Sequence, residues 1–235
     1  MSLYRSLILV ASISALAALS GCAKDPSKDA PAAKVSEPAP EEKAAEPAPA
    51  PAPVAAAAAP SPTAAAPAAA LPLTGAIDFI GSKVTGSHFG HFKEFTGTVA
   101  LKDGKPEGGH LDFTVQTASL FTTDENPMRE KLEGHLKSPD FFDVAKYPTA
   151  TFTSTEIAAG GPNGATHTIK GKLTLRGVTK DVEFPATIAV AGKDISGKTE
   201  FSINRKDFGI VYAGMPDNLI RDGVVLKIDV KATLP

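Results

Sequence analysis

The fold of this chain is decided by the stretch VEFPATIAV, residues 182–190, in which inward and outward positions alternate. The same period of two recurs in ISGKTEFSI (195–203), LKIDVKATL (226–234) and LDFTVQTAS (111–119). Successive side chains of a strand point to opposite faces, so this pattern is typical of antiparallel strands with one buried and one hydrated face. Shorter matches bring the prediction to about eight strands; they lie at 77–84, 95–101, 150–157 and 167–175.

Turns and one helix separate the predicted strands. Asp103-Gly104 and the segment 160–164 carry the clearest turn signals. The segment 124–136 differs because apolar residues recur at helical spacing, with Asp124 placed as the N-cap and Pro139 beyond the last turn. The apolar positions of this helix are Met128, Leu132 and Leu136. An all-β sandwich or up-and-down antiparallel barrel is predicted, with the helix covering one opening.

The barrel interior has two interpretations. An eight-stranded barrel either fills its lumen with side chains or leaves room for one ligand. Small residues at inward positions favour a cavity, although they also accommodate strand coiling; they are Gly97, Thr117, Ser119, Gly171, Ala186 and Gly197. Alternation also predicts the large side chains that face the lumen, which are Phe79, Val99, Phe113, Val115, Phe152, Leu173, Phe184, Ile188, Phe201 and Ile228.

The first 22 residues resemble an export signal that ends in a lipid-modified cysteine. The apolar stretch 7–19 has the length of a signal-peptide core and is too short to span a bilayer. The tetrad LSGC, residues 19–22, resembles the bacterial lipobox, in which the cysteine is acylated. We therefore expect a signal peptide over 1–21 and membrane anchoring through acyl chains on Cys22. Ala23 favours the outer membrane of the cell envelope, facing the periplasm.

Residues 22–72 are expected to form a disordered linker between the anchor and the domain. Residues 23–72 include 21 Ala and 12 Pro, a composition that favours extended chain and cannot bury a core. The expected role is a spacer that lifts the domain off the membrane. The domain itself is then 73–235, which contains all twelve phenylalanines and is long enough for one core.

Composition excludes several function classes. Residues 73–235 carry 19 Lys and Arg against 20 Asp and Glu, a net charge of -1 that does not indicate a nucleic-acid partner. The chain has no G-x-S-x-G motif and no glycine-rich phosphate loop, and its one cysteine is assigned to lipidation. We therefore expect no catalytic residues, no enzyme activity, no metal and no cofactor beyond a bound lipid. A homodimer stays open as a further partnership.

Three residues are candidates for contact with a polar ligand group. His88 and His91 form an H-x-x-H pair, which could ligate a metal on a helical turn or hydrogen-bond a polar head at the barrel mouth. Separate polar or capping roles are the simpler interpretation. Arg205 falls at an inward position and could bind a phosphate or carboxylate head group. The alternative for Arg205 is a structural ion pair with Asp207 or Asp143.

Three blocks of sequence closely resemble the signature of the YceI-like family. They are HLKSPDFFDV (135–144) with the following KYP (146–148) and Phe152, GKLTLRGVTK (171–180), and INRKDFGI (203–210). They stand in family order, and the likeness covers nearly all of 76–235. The resemblance implies a lipocalin-like, eight-stranded antiparallel barrel with a helical cap. It also implies a long apolar ligand, a polyisoprenoid or related lipid, in the lumen.

The predicted function is therefore that of a membrane-anchored binding or carrier protein for a polyisoprenoid, quinone or fatty-acid-like lipid. One alternative is a cell-envelope stress or interaction module with a filled barrel and no ligand. Another is a metal- or haem-handling protein that uses His88 and His91. A co-purifying lipid would favour the carrier, whereas a bound metal lost in His91→Ala would favour the third hypothesis.

Overall fold

The computed structural model describes residues 23–38, 70–125 and 128–235. The predicted signal peptide, Cys22 and residues 39–69 of the predicted linker lie outside the described residues. Within the described ranges, no helix has the length and apolar character needed to cross a membrane.

Strands dominate the described chain, together with one α-helix. The helix, α1, spans Met128–Lys137. The strands are β1 Lys34–Ser36, β2 Leu71–Pro72, β3 Thr74–Lys83, β4 Gly86–Phe92, β5 Phe95–Lys102, β6 Lys105–Gln116, β7 Leu120–Thr122, β8 Thr149–Ala159, β9 His167–Leu175, β10 Val178–Ala191, β11 Asp194–Asn204, β12 Gly214–Met215, β13 Asn218–Leu219 and β14 Gly223–Thr233.

One antiparallel sheet curls until its two ends approach each other. Its order is β2-β5-β6-β8-β9-β10-β11-β14-β3-β4-β7. Only Leu73 separates β2 from β3 in the chain, but the two strands stand far apart in this order. β2 pairs with β5 at one end of the sheet, whereas β3 pairs with β14 near the other end, so the chain at Leu73 brings the two ends together. The Leu73 N–H also donates to the Gly97 carbonyl, at 2.8 Å. The sheet is therefore barrel-like, and the all-β, lipocalin-like architecture with a single helix is confirmed.

The structure differs from the sequence prediction in several elements. Alternation located eight strands but missed β4, in which His88 and His91 lie, because small and aromatic residues there blur the period of two. Thr117 and Ser119 do not continue β6; they form a 3₁₀ turn over Thr117–Ser119. The Thr117 hydroxyl donates to the Tyr147 carbonyl instead of facing the lumen, at 2.8 Å.

The helix is also shorter at its start than predicted. Residues 124 and 125 are not helical, and α1 begins at Met128 rather than at 124. Asp124 is engaged elsewhere, because its Oδ1 lies 3.1 Å from Nδ1 of His88. The predicted end is confirmed, since α1 stops at Lys137 just before Ser138-Pro139.

An N-terminal strap, which we define as residues 23–38, packs on the barrel and corrects the predicted linker over 22–72. Its strand β1 pairs with β10 through Val35 and Val182. Backbone bonds to β11 join Ala33 N–H to the Ser202 carbonyl and Ser202 N–H to Pro31, each at 2.8 Å. The strap folds here because β10 and β11 pair only beyond Thr187, which leaves backbone groups that another strand can satisfy.

The strap also covers apolar side chains on the outer face of the sheet. Ile80 and Val225 alternate with lumen-facing neighbours, yet both are buried, Val225 completely. They form a cluster with Ala30 of the strap. The sequence did not predict this contact, because alanine- and proline-rich segments are typical of linkers. The strap is stabilised by the barrel surface on which it packs.

Phenylalanine rings cover two of the glycines that were expected to open the lumen. A Cβ on Gly97 would lie 2.8 Å from the Phe113 ring, and one on Gly171 would lie 2.5 Å from the Phe152 ring. Gly197 differs, because its nearest neighbour would be a Val230 methyl at 3.5 Å. Gly97 and Gly171 therefore seat aromatic rings against the wall, and Gly197 adjoins free space.

Gly171→Ala is expected to destabilise the domain by about 1–3 kcal/mol, because the added methyl overlaps a packed ring and a backbone carbonyl. Gly197→Ala, in the same kind of strand position, is the matched control and is expected to change stability by less than about 0.5 kcal/mol. Urea denaturation of both variants measures the difference. Equal stability of the two would contradict the packing described for Gly171.

Candidate ligand cavity

The curled sheet encloses an elongated cavity of about 420 Å³. This volume falls in the range of about 300–1,000 Å³ that small-molecule sites occupy. Ile195 and Ile203 both line it and stand eight residues apart on β11. At about 3.3 Å per residue, the cavity runs about 26 Å along that strand. A long, narrow, mostly apolar space suits a chain-like ligand better than a compact one.

All ten side chains predicted to face the lumen line this cavity. Their contact with a ligand stays a prediction. Further lining residues lie on the same faces of the same strands, so continuing the alternation would have found them; they are Ile77, Leu111, Ile169, Val182, Ile195, Ile203 and Val230. Ile157 also lines the cavity, but a register shift in β8 between Ser154 and Glu156 reverses the alternation before it, and simple alternation from Phe152 would have missed it. Strand alternation does not predict the residues that line the end of the cavity near α1, because they lie on the helix and in irregular segments.

One end of the cavity is closed by a separate apolar cluster. Leu71 and Leu101 pack there with Ile195 and Ala232, and all four are buried. Leu101 and Ile195 also line the cavity, so this cluster forms its floor. The strand turns beyond the floor are polar, with Asp103-Gly104 between β5 and β6.

The helix and the segment after it roof the opposite end. Leu132 and Leu136 of α1 line the cavity, as do Phe141 and Phe142. The Phe142 ring meets Phe92 of β4 edge to face, with centroids 5.8 Å apart. The sequence predicted a cap at this place, and the aromatic pair gives it an apolar lower surface.

The β3–β4 turn and the short hairpin β12–β13 together form the rim of the cavity beside the cap, which we call the mouth. Met215 and Asn218 of the hairpin line the cavity, and Met215 is 63 % exposed. Thr85 Oγ1 donates to Asn218 Oδ1 at 2.7 Å, and Val84 N–H donates to the Leu219 carbonyl at 3.0 Å. The hairpin is thereby fixed to the turn, and the cavity reaches solvent at a defined place.

The two histidines of the H-x-x-H pair lie on opposite faces of β4. His88 lines the cavity, with Nδ1 3.1 Å from Asp124 Oδ1. His91 packs against the Phe121 ring in a tilted arrangement, with centroids 5.1 Å apart, and is not among the lining residues. Positions three apart on a strand point apart, so this pair cannot chelate one ion as it would on a helical turn. Among the described residues, no group of three potential ligands could hold a metal.

His88 is accompanied at the mouth by polar groups that sequence reasoning missed. Ser82 and Asn218 also line the cavity. The Ser82 hydroxyl is buried and has no hydrogen-bond partner within the described ranges, but Ser82 shares the strand face of Ile80, so this hydroxyl points to the strap side of β3 and not into the lumen. Asp124, which the sequence assigned to a helix cap, orients the His88 ring instead. These groups come together only through strand pairing, which no single segment of sequence encodes.

Arg205 is a buried structural residue at the wall of the cavity. Its guanidinium donates to the carbonyls of Ile210 at 2.7 Å, Arg221 at 3.0 Å and Ile220 at 3.2 Å. Its ion-pair partner is Asp222, at 3.2 Å, and not Asp207 or Asp143 as the sequence suggested. Burial lowers the pKa of Arg205, partly offset by Asp222, and the group stays charged at neutral pH.

Residues 73–232, which include nearly all of the curled sheet, match the family described as YceI-like domain. The chain belongs to this family. A UPF0312 protein of Pseudomonas savastanoi is 38% identical over 148 residues, which is 58% of this chain and 72% of the relative. A UPF0312 protein of Pseudomonas putida strain F1 is 38% identical over 131 residues, covering 53% and 65%.

Two solved structures have a fold similar to that of this chain. BcnA of Burkholderia cenocepacia is similar with a TM-score of 0.57 and 25% identity, covering 67% of this chain and 96% of BcnA. A polyisoprenoid binding domain from Saccharophagus degradans, implicated in plant cell wall breakdown, has a TM-score of 0.53 and 17% identity, covering 72% and 100%. At that identity the second likeness shows the fold alone.

The three sequence blocks of this YceI-like domain meet under the cap. Arg176 of the middle block donates from Nη2 to the Pro139 carbonyl at 2.6 Å and from Nη1 to the Gly209 carbonyl. Gly177 follows with φ +73, and the Tyr147 ring lies where its side chain would stand, 2.5 Å from a Cβ. The blocks are therefore the parts that fasten the cap to the barrel.

Arg205→Met is expected to destabilise the domain by about 3–5 kcal/mol, because it leaves buried carbonyls without donors. Arg129→Met is the control, since Arg129 is partly exposed and makes a 3.9 Å contact to Glu133 and a cation–π contact with the Phe121 ring, and its expected cost is about 1 kcal/mol. Urea unfolding compares the two. If Arg205→Met were as stable as the control and lost only ligand binding, Arg205 would be a head-group contact after all.

Proposed function

We propose that this protein binds one long apolar lipid inside the barrel and acts as its carrier or reservoir. The observation that carries this proposal is the 420 Å³ cavity with an apolar floor, an apolar roof and a defined mouth. An empty apolar space of this size weakens a fold, because its lining atoms lose packing contacts. A resident ligand would restore those contacts.

The shape of the cavity supports a polyisoprenoid, quinone or fatty-acid-like chain as the ligand class. Burying ten methylene groups would contribute about 8 kcal/mol before the costs of ordering the chain and the protein. The structural neighbour from Saccharophagus degradans is described as a polyisoprenoid binding domain. That description supports the same class of ligand for this YceI-like domain.

The polar end of the ligand is proposed to lie at the mouth. His88, held by Asp124, lines the cavity there together with Lys83 of the β3–β4 turn, and Asn218 is a further polar residue of this rim. Arg205 is saturated by its own carbonyls and by Asp222, and His91 faces away, so neither serves the head group. One hydrogen bond from the His88 ring would orient the ligand with its apolar tail toward the floor.

The proposal includes membrane anchoring through acyl chains on Cys22 and a place in the cell envelope, with the outer membrane favoured by Ala23. We also propose that the protein works by binding and not by catalysis, because retention of an apolar chain needs no reacting group. The interaction module with a filled barrel is less well supported, since the lumen of the described chain is open.

Filling the cavity tests the proposal. Gly197→Phe places a ring in the free space beside Val230 and is expected to lower the lipid-bound fraction about tenfold or more, because tail and ring compete for one volume. Gly134→Phe adds the same ring on the exposed face of α1 and is the control. Native mass spectrometry with organic extraction measures the adduct. A bare wild-type mass, unchanged after incubation with isoprenoids, quinones and fatty acids, would refute the proposal.

The histidine pair offers a second, internally matched test. His88→Ala is expected to weaken binding of a lipid with a polar head about three- to tenfold, the worth of one hydrogen bond, and to leave binding of a plain hydrocarbon unchanged. His91→Ala removes the same ring from the outer face of β4 and is expected to alter neither. Titration with both ligands separates the effects. Equal losses in the two variants would show that His88 supports structure only.

A further inference from the structure

The N-terminal strap fixes which end of the barrel meets the membrane. We infer that the mouth lies against the bilayer that holds Cys22, with the exposed hairpin side chains in the lipid interface, so that a ligand passes directly between bilayer and cavity. We name Val211, Met215 and Leu219 the rim patch. The inference rests on the proposed function, because it takes a lipid ligand and an acylated Cys22 as its premises.

The first described residue is hydrogen-bonded to the mouth. Ala23 N–H donates to the Val84 carbonyl at 3.2 Å, and Val84 N–H donates to the Leu219 carbonyl at 3.0 Å. Two successive backbone hydrogen bonds therefore connect Ala23 through Val84 of the β3–β4 turn to Leu219 of the rim patch. Cys22 is the covalent neighbour of Ala23, and consecutive Cα atoms are about 3.8 Å apart. The anchoring position is thus at the edge of the mouth.

Side chains hold the start of the strap at this place. Arg221 donates from Nη2 to the Ala23 carbonyl, and its Nη1 lies 3.6 Å from Asp25 Oδ2. Desolvation raises the pKa of Asp25, but hydrogen bonds from Ser27 and the charge of Arg221 outweigh it, so the pKa is lowered. Asp25 is therefore ionised at neutral pH, and its contact with Arg221 persists there.

The linker cannot separate the anchor from the barrel. Residue 38 ends the strap on the sheet, and residue 70 leads directly into β2, so the segment 39–69 joins two positions on the same domain. The sequence predicted a spacer between Cys22 and the domain. No spacer separates the two, because Ala23, the next residue after Cys22, already contacts the barrel. Acyl chains on Cys22 would bring the bilayer surface to the mouth whatever the length of 39–69.

Exposed apolar side chains gather at the same edge. Six large hydrophobic residues are exposed in the described chain, and half of them form the rim patch, with Val211 64 % and Leu219 47 % exposed. Met215, also exposed, lines the cavity itself. Grouped exposed apolar residues mark interaction surfaces. A lipid surface is the occupant that the adjacent acyl anchor supplies, and the polar turn at Gly192-Lys193 faces away at the floor end.

Tryptophan fluorescence tests the orientation, because the chain contains no tryptophan of its own. Met215→Trp and Lys193→Trp would be placed in the full chain, isolated with its lipidated Cys22 and reconstituted into phosphatidylcholine vesicles with or without brominated phosphatidylcholine. We expect a blue shift and loss of most emission for Met215→Trp in brominated vesicles, and no change for Lys193→Trp. Quenching of neither probe, of both equally, or of the Lys193→Trp probe alone would overturn the inference.

Two further measurements separate this inference from its premises. Vesicle flotation of the full chain, lost in Cys22→Ser, would establish the anchor. A chain that does not float overturns this inference and the proposed anchoring, while a lipid adduct in native mass spectra leaves the proposed lipid binding intact. Adding Arg221→Gln to the Met215→Trp chain should loosen the strap, so quenching falls while flotation is retained. If the emission of the Met215→Trp probe shifted without lipid, and the shift grew with protein concentration, the rim patch would be in contact with a second copy of the chain. That result would refute membrane contact.

Discussion

A single buried guanidinium holds the open end of this barrel in shape. Arg205 follows β11 and gathers the carbonyls of Ile210, Ile220 and Arg221, so it ties both ends of the irregular segment that carries the mouth hairpin. Arg176 does the same for the cap by joining Pro139 to Gly209. The carbonyl groups of irregular backbone beside an apolar cavity have few other hydrogen-bond donors, and the side chains of Arg205 and Arg176 provide these donors. The rim can therefore stay open without unfolding.

The barrel stays hollow because large rings are laid against its wall. The Phe113 and Phe152 rings occupy the space above Gly97 and Gly171, where any side chain would collide with them. Phe184 and Phe201 stack on one another at 4.2 Å. The aromatic rings are thus packed against the wall of the barrel, and the axis of the lumen stays open. Gly197, which no ring covers, marks where that space begins.

Part of the low-complexity sequence in this chain is folded onto the barrel. Alanine- and proline-rich composition predicted one disordered linker, yet its first part becomes the strap that buries Ile80 and Val225. A segment without aromatic residues cannot form a core, but it can complete one when a sheet presents unpaired backbone and an uncovered apolar face. The strap thereby holds Ala23 in a fixed contact with the barrel.

The sequence by itself determined the antiparallel sheet, the side chains that face its lumen and the presence of one capping helix, because strand alternation and helical spacing are properties of local backbone geometry. Its three blocks also indicated the family. Tertiary structure decided the rest: Asp222 as the partner of Arg205, the separation of His88 from His91, the pairing of His88 with Asp124, and the docking of the strap. Each depends on which distant segments become neighbours, and that follows from long-range sheet pairing, which no local pattern encodes.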